Sequence, residues 1–372
     1  MNTPASFLKK YRARHILLAA LFVLNLLYFL LRRHRGLMTL ITDHVTGPFK
    51  RFIAWICSVY PYSVAEILVV ASVLFAVYFI AVGTVQIVRS KGRRAHVAYR
   101  RVTALVCMAL FVFSGFNVLW GINYYAETFQ QRSGITAGRF TRQHLYETTV
   151  YFAQKCNETA SLVSRDETGL YNEPLDQVLA DGQYLYRDTL EEEFPFLKGR
   201  ALKAKPVLFS RFMSRTRTTG VAFPFTGESN VNVDSPQVFL PSAIAHETAH
   251  QRNIASEQES NFLAVLACVR SEHAAYRYSG YLLGFRLLAS SLLRQDTGLY
   301  LEVYDSLSRE VRRDLHQNDV YWLRYQGKLS EISEELYDDL LKSHGQELGT
   351  KSYGAAVDLI ITYFYPMIDP LR

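Results

Sequence analysis

The sequence predicts a mainly helical protein in two parts: about three transmembrane helices, then a mostly helical α+β domain with a small β hairpin or sheet. Three observations predict this. Three long apolar runs lie before residue 125, the net positive charge lies in that same stretch, and helical periodicity dominates the remainder around one metal-binding motif. With 372 residues, 49% of them hydrophobic, the chain is neither disordered nor low-complexity, and its four Cys are too few for a disulfide scaffold. The formal charge of +7 divides sharply: residues 1–130 hold 15 Lys+Arg against Asp43, Glu66 and Glu127, whereas residues 131–372 hold 26 Lys+Arg against 31 Asp+Glu. The polar two-thirds is therefore net acidic, which argues against nucleic acid as a partner.

Residues 1–125 read as a membrane anchor with spans near 16–32, 63–88 and 102–122. The first run is broken only by Asn25, the second carries Glu66 near its start, and the third is uncharged. The first is slightly short, and Arg32 and Arg33 can snorkel at its end. A cleaved signal peptide is disfavoured there, because Arg32, Arg33, His34 and Arg35 follow in place of small residues. Lys9, Lys10, Arg12 and Arg14 precede the first span, and six basic residues from Arg89 to Arg101 separate the second from the third. The positive-inside rule then puts the N-terminus and that loop in the cytoplasm and everything after residue 125 outside, with Trp120, Tyr124 and Tyr125 in the outer aromatic belt.

Residues 126–372 are long enough for a sizeable core. Helices are expected around 141–164, 174–192, 241–252, 257–270, 274–294, 304–315, 331–344 and 353–365, and short strands at Val207–Ser210, Val221–Phe225 and Asn230–Val233. The run Ala355–Ile368 is too short to span a bilayer and contains Asp358, so it reads as a buried helix.

The chemistry concentrates in the segment from Ala245 to Ala264. His246-Glu247-Thr248-Ala249-His250 is an H-E-x-x-H sequence, and on a helix its two imidazoles share one face. Glu247, about 100° around, can reach a metal's water without being a ligand itself. Asn253 can end that helix in the left-handed conformation, and Ser256 with Glu259 forms a capping box for the next. On the second helix Glu257, Asn261, Ala264 and Cys268 share one small face, and Glu259 points away with Leu263 and Leu266. Glu257 is thus the expected third ligand, Glu259 the fallback, and Asn261 a hydrogen-bond partner for a ligating His. Three protein ligands plus water describe a catalytic Zn2+ better than a structural one.

Weaker candidates surround this motif. Tyr276, Tyr278 and His273 could stabilise an oxyanion, although tyrosines are abundant here and a structural role is expected for each. The Phe223–Val233 segment reads either as an edge strand that binds an extended peptide, with Asn230 and Asn232 on one face, or as an ordinary packed hairpin. Cys156 and Cys268 could form a disulfide outside the cytoplasm, but burial as free thiols is favoured.

The motif H-E-x-x-H followed by Glu257-Gln258-Glu259-Ser260-Asn261 resembles the gluzincin metallopeptidases. That resemblance implies zinc held by His246, His250 and Glu257, with Glu247 as general base for peptide-bond hydrolysis. A broader match covers nearly the whole chain. Trp120–Tyr125, Phe223–Asn232, His246–Ala264, Tyr278–Tyr281 and Lys351–Gly354 look like hallmarks of a bacterial membrane family known as domain of unknown function 3810. This implies a multi-pass protein of the bacterial plasma membrane with a gluzincin-like domain, and it implies no particular substrate. The expected partners are the lipid bilayer and a peptide or protein substrate. The rival from another class is a non-catalytic membrane receptor or scaffold that keeps the zinc-binding fold. An intramembrane protease is disfavoured by Gln251, Arg252, Glu257 and Glu259 around the motif.

Overall fold

Arg12–Leu31 (α1) opens the computed structural model, which describes residues 10–346 and 353–368. A short helix Arg35–Ile41 (α2) and a π-helical turn Thr42–Thr46 lead into Gly47–Ser58 (α3), followed by Val64–Arg89 (α4) and Arg94–Leu119 (α5). Among the described residues, α1, α4 and α5 are the three helices long and apolar enough to cross a membrane. They fall on the three apolar runs. Asn25, the one polar break in the first run, donates to Ser114 Oγ at 2.7 Å and accepts from Asn117 Nδ2 at 3.3 Å, so it joins α1 to α5. At the other end of the bundle Gln86 Oε1 accepts from Arg100 and Arg101. The N-terminus of α1, the end of α4 and the start of α5 therefore lie together, and residues 32–62 lie at the opposite end.

That opposite end holds a helix between the first two apolar runs. Helix α3 buries Lys50, Ala54 and Cys57 and exposes Phe49, Phe52 and Ile56. The spacing is that of an amphipathic helix with an apolar outer stripe.

The chain continues as Phe129–Ser133 (α6), Arg142–Ala160 (α7), Leu175–Asp181 (α8) and Leu185–Thr189 (α9). Lys205–Pro206 (β1), Ser210–Arg215 (α10), Gly220–Phe223 (β2) and Glu228–Val231 (β3) come next. Leu240–Gln251 (α11), Glu257–Val269 (α12), Ala274–Gln295 (α13), Thr297–Asp305 (α14), Arg309–Leu323 (α15), Lys328–Ser343 (α16) and Tyr353–Ile368 (α17) complete it. Helices α7, α12, α13 and α17 pack around one core that includes Phe152, Phe262, Leu263, Leu266, Tyr276 and Leu282. The small face of α12 permits close approach on two sides: Cys268 Sγ lies 3.8 Å from Pro241 O at the start of α11, and a Cβ on Gly280 of α13 would meet Cys268 Cβ at 2.4 Å.

The sheet is ordered β1-β3-β2, with β1 parallel and β2 antiparallel to β3. Three expectations change in detail. The first strand is Lys205–Pro206 and not Val207–Ser210: after Val207 the backbone turns into α10, because the Glu66 carboxylate accepts from the N–H groups of Leu208 and Phe209 at 3.0 and 2.7 Å. The helix expected over 174–192 is two short helices separated at Gly182, where a Cβ would lie 2.2 Å from Tyr276 Oη. The helix expected over 304–315 is split between α14 and α15, and Ser308 caps the latter by accepting from Val311 N.

β3 also seats the second apolar helix. Glu228 accepts from Val64 N and Ala65 N at 3.2 and 2.7 Å, which satisfies free N–H groups at the positive end of α4. Ser63 caps Glu66 N and donates to Asn230 Oδ1 at 2.6 Å. Lys205 Nζ neutralises Glu228 at 2.5 Å and donates to the carbonyls of Cys57 and Tyr62. The loop between the first two apolar helices is thus bonded into the second part of the chain.

Candidate metal centre

The H-E-x-x-H sequence occupies the last turns of α11. Asn253 ends the helix with φ of 69°, as its type predicts, and the chain turns directly into α12. Ser256 caps α12 by accepting from Glu259 N. The box is half of the expected one: the Glu259 side chain reaches away to accept from Phe129 N and Gln130 N at 2.9 and 3.1 Å, capping α6. Glu259 is thereby removed as an alternative ligand.

The tight turn brings Glu257 onto the two imidazoles. Its carboxylate oxygens lie 3.2 Å from His246 Nε2 and 3.2 Å from His250 Nε2. One ligand atom from each of the three residues lies within 4.8 Å of the others, a group that could hold a metal ion. The other ring nitrogens are taken: His246 Nδ1 faces Asn261 Oδ1 at 3.1 Å and His250 Nδ1 faces Ile254 O at 2.7 Å. These bonds set each ring with Nε2 toward the centre, the arrangement a ligating imidazole needs. Asn261 stands where the helical period put it.

Electrostatics ties the three groups together. Burial alone would raise the Glu257 carboxyl, but His250 and His246 hold it well below the usual carboxylate range. Burial opposes protonation of His250, yet Glu257 outweighs it and lifts the imidazole to about 9. Buried Glu247 lies beside the triad, its carboxyl raised by desolvation and lowered in part by the two His, and its Oε2 has no hydrogen-bond partner. Edge strand β2 covers it: a Cβ on Gly220 would sit 2.5 Å from Glu247 Cγ.

Three aromatic residues complete the surroundings, and the sequence reading assigned none of them to the centre. Tyr337 of α16 donates to Glu257 Oε1 at 2.5 Å. Trp120, immediately after α5, sets its ring edge-on to His250 with centroids 5.4 Å apart, and Tyr124 accepts from Trp120 Nε1 at 3.2 Å. Tyr337 lies 80 residues from Glu257 on a polar-looking helix, so no local spacing points to it. Trp120 and Tyr124 were visible only as belt aromatics.

The four residues named as possible substrate or oxyanion groups, Tyr276, Tyr278, Asn230 and Asn232, all have hydrogen-bond partners within the fold. Tyr276 is fully buried and donates to Val178 O, and Tyr278 donates to Asp314, which also holds Arg165 bidentately. Asn230 faces Ser63 and Val221 O, while Asn232 donates to Ser214 Oγ and Thr218 O. All four satisfy buried polar groups of the fold. His273 is half-exposed beside Asp181. Cys156 and Cys268 are buried free thiols.

No curated protein and no solved structure matches the chain. A family model described as Protein of unknown function (DUF3810) matches residues 44–361, from the turn before α3 into α17, and so takes in the last two apolar helices, the socket of β3 and the triad. Over that extent the chain belongs to the DUF3810 family.

Proposed function

We propose that this protein is a membrane-anchored zinc metallopeptidase of gluzincin type that hydrolyses peptide bonds close to a membrane surface. The observation that supports it most is the convergence of His246, His250 and Glu257 on one point, with Glu247 beside them and one oxygen unpartnered. Two imidazoles and one carboxylate suit zinc and leave a fourth position open. Zinc bound there would supply Lewis-acid activation of water and of the scissile carbonyl. Asn261 and the Ile254 carbonyl orient the two rings, and Tyr337 orients the Glu257 carboxylate. Glu247 takes the proton from the attacking water and passes it to the leaving amine, and its burial under β2 keeps bulk water from competing. The free edge of β2 can add an extended peptide strand across Glu247.

Trp120 ties this site to the end of an apolar helix, which favours substrates at the bilayer surface. The distribution of basic residues supports an orientation with the 89–101 loop in the cytoplasm and the triad outside, at the bacterial plasma membrane. The test is metal analysis and peptidase assay of the full chain in detergent, for wild type and Glu247→Gln. Stoichiometric zinc in both, with hydrolysis of a broad peptide library in wild type alone, is the expected result. A folded wild type without bound metal would defeat the proposal, and zinc without hydrolysis would favour a receptor.

A further inference from the structure

Leu208, Phe209 and Phe212 lie outside the three apolar helices, in the turn after β1 and on α10, yet they are 87%, 58% and 58% exposed. Single exposed apolar residues are ordinary, but three large ones within five positions form a patch that calls for a partner. Their place is set from the membrane side. The carboxylate of Glu66, in the first turn of α4, accepts from the N–H groups of Leu208 and Phe209 at 3.0 and 2.7 Å. Helix α4 has 26 residues and is therefore about 39 Å long, against about 30 Å for the hydrocarbon core of a bilayer. Its first turn thus stands at headgroup depth, and the exposed trio stands beside it. Helix α3 meets the same place, with Phe52, Ile56 and Val59 turned outward. Lys205 of β1 donates to the Cys57 carbonyl at 2.7 Å, which ties α3 to the strand that precedes the trio. The charge pattern agrees. The run Leu208–Arg217 contains Arg211, Arg215 and Arg217, all exposed, and no acid.

We propose that Leu208, Phe209 and Phe212 insert into the lipid bilayer around the start of α4, as a membrane contact made by the second part of the chain itself. The occupant is the bilayer because the trio is continuous with a membrane-length helix and with the outer stripe of α3. Apolar tips flanked by arginines suit the boundary between acyl chains and phosphate headgroups.

The test uses the full chain reconstituted in phosphatidylcholine–phosphatidylglycerol vesicles, with an environment-sensitive fluorophore on Phe212→Cys. The four native thiols are buried, and wild type carried through the labelling corrects for them. Nitroxide near the top of the lipid acyl chains should quench this label to within about twofold of one on Val69→Cys, an exposed position five residues into α4. Iodide in the water should quench neither. Strong iodide quenching at position 212, with nitroxide quenching there under about one-tenth of the Val69 value, would overturn the proposal. A label shielded from both quenchers, with cross-links between labelled chains, would put a second copy of the chain on the trio and overturn the bilayer as its occupant. A second measurement separates insertion from mere nearness to α4. A label on Leu208→Cys is compared with and without Phe209→Asp and Phe212→Asp, which the fold tolerates because both side chains point outward. Nitroxide quenching should fall at least severalfold with the two acids, and unchanged quenching would overturn the trio as a lipid-binding surface.

Discussion

His246 and His250 each use Nδ1 to bind the surrounding protein, which turns Nε2 toward Glu257 in both. Asn261 and Tyr337 each make one hydrogen bond to a member of the triad, so Asn261→Ala and Tyr337→Phe should weaken the proposed zinc binding by about 10- to 100-fold, measured by chelator competition. An unchanged zinc affinity in both would remove them from the centre. Lys50 supplies a pH prediction. Its folded value, about 7, lies below its ordinary value of 10.5, so between these limits the unfolded chain binds more protons. Its contribution therefore makes stability rise as pH increases from 7 towards 10.5. Thermal midpoints of wild type and Lys50→Met across that range should differ in slope, with the steeper rise in wild type.

Single elements carry two further expectations. Strand β2 can pass over Glu247 only because residue 220 has no side chain. Gly220→Ala must displace Glu247 or the strand, and the proposed hydrolysis should fall on the order of 100-fold, since about 1 Å of misplacement has that effect. Retention of full activity would show that β2 yields freely there. The second expectation concerns the socket of α4. Glu228→Ala leaves buried Lys205 without its partner and the end of α4 without its cap, so a loss of about 3–5 kcal/mol is expected, read from denaturation of the full chain. The Phe223–Asn232 run therefore has a physical explanation distinct from substrate binding: it turns a strand into the seat of a membrane-length helix.

The whole molecule is more continuous than a membrane anchor joined to a separate domain. Lys205, Glu228 and Asn230 bond residues 57–65, and Trp120 and Tyr124 extend from the end of α5 to the triad. Residues 126–372 produced alone should lose these contacts and aggregate, whereas the full chain in detergent should not; size-exclusion chromatography distinguishes the two. Exposed apolar residues also gather at this level. Leu208, Phe209 and Phe212 stand beside the start of α4, and Leu329, Ile332 and Leu336 line the outer side of α16, whose Tyr337 touches the triad. A reporter fused after residue 130 should behave as lying outside the cytoplasm, and a cytoplasmic signal would invert the proposed orientation.

Much of this was written in local patterns. Apolar runs longer than about 20 residues, the i, i+4 pair of His246 and His250, and the turn signals of Asn253 and Ser256 follow from helical geometry alone. The face shared by Glu257 and Asn261 does too, and the structure sets both where that period places them. By itself, then, the sequence determined the three membrane-length helices and the composition of the triad, because each depends on neighbours within a few turns. Only the tertiary structure decided that Tyr337 and Trp120 enclose the triad, that Asn230 and Tyr278 bond within the fold, and that Lys50 of α3 is buried over the Trp120 ring. Those relations join residues far apart in the chain, and no helical or strand period reports which distant side chain satisfies a buried polar group.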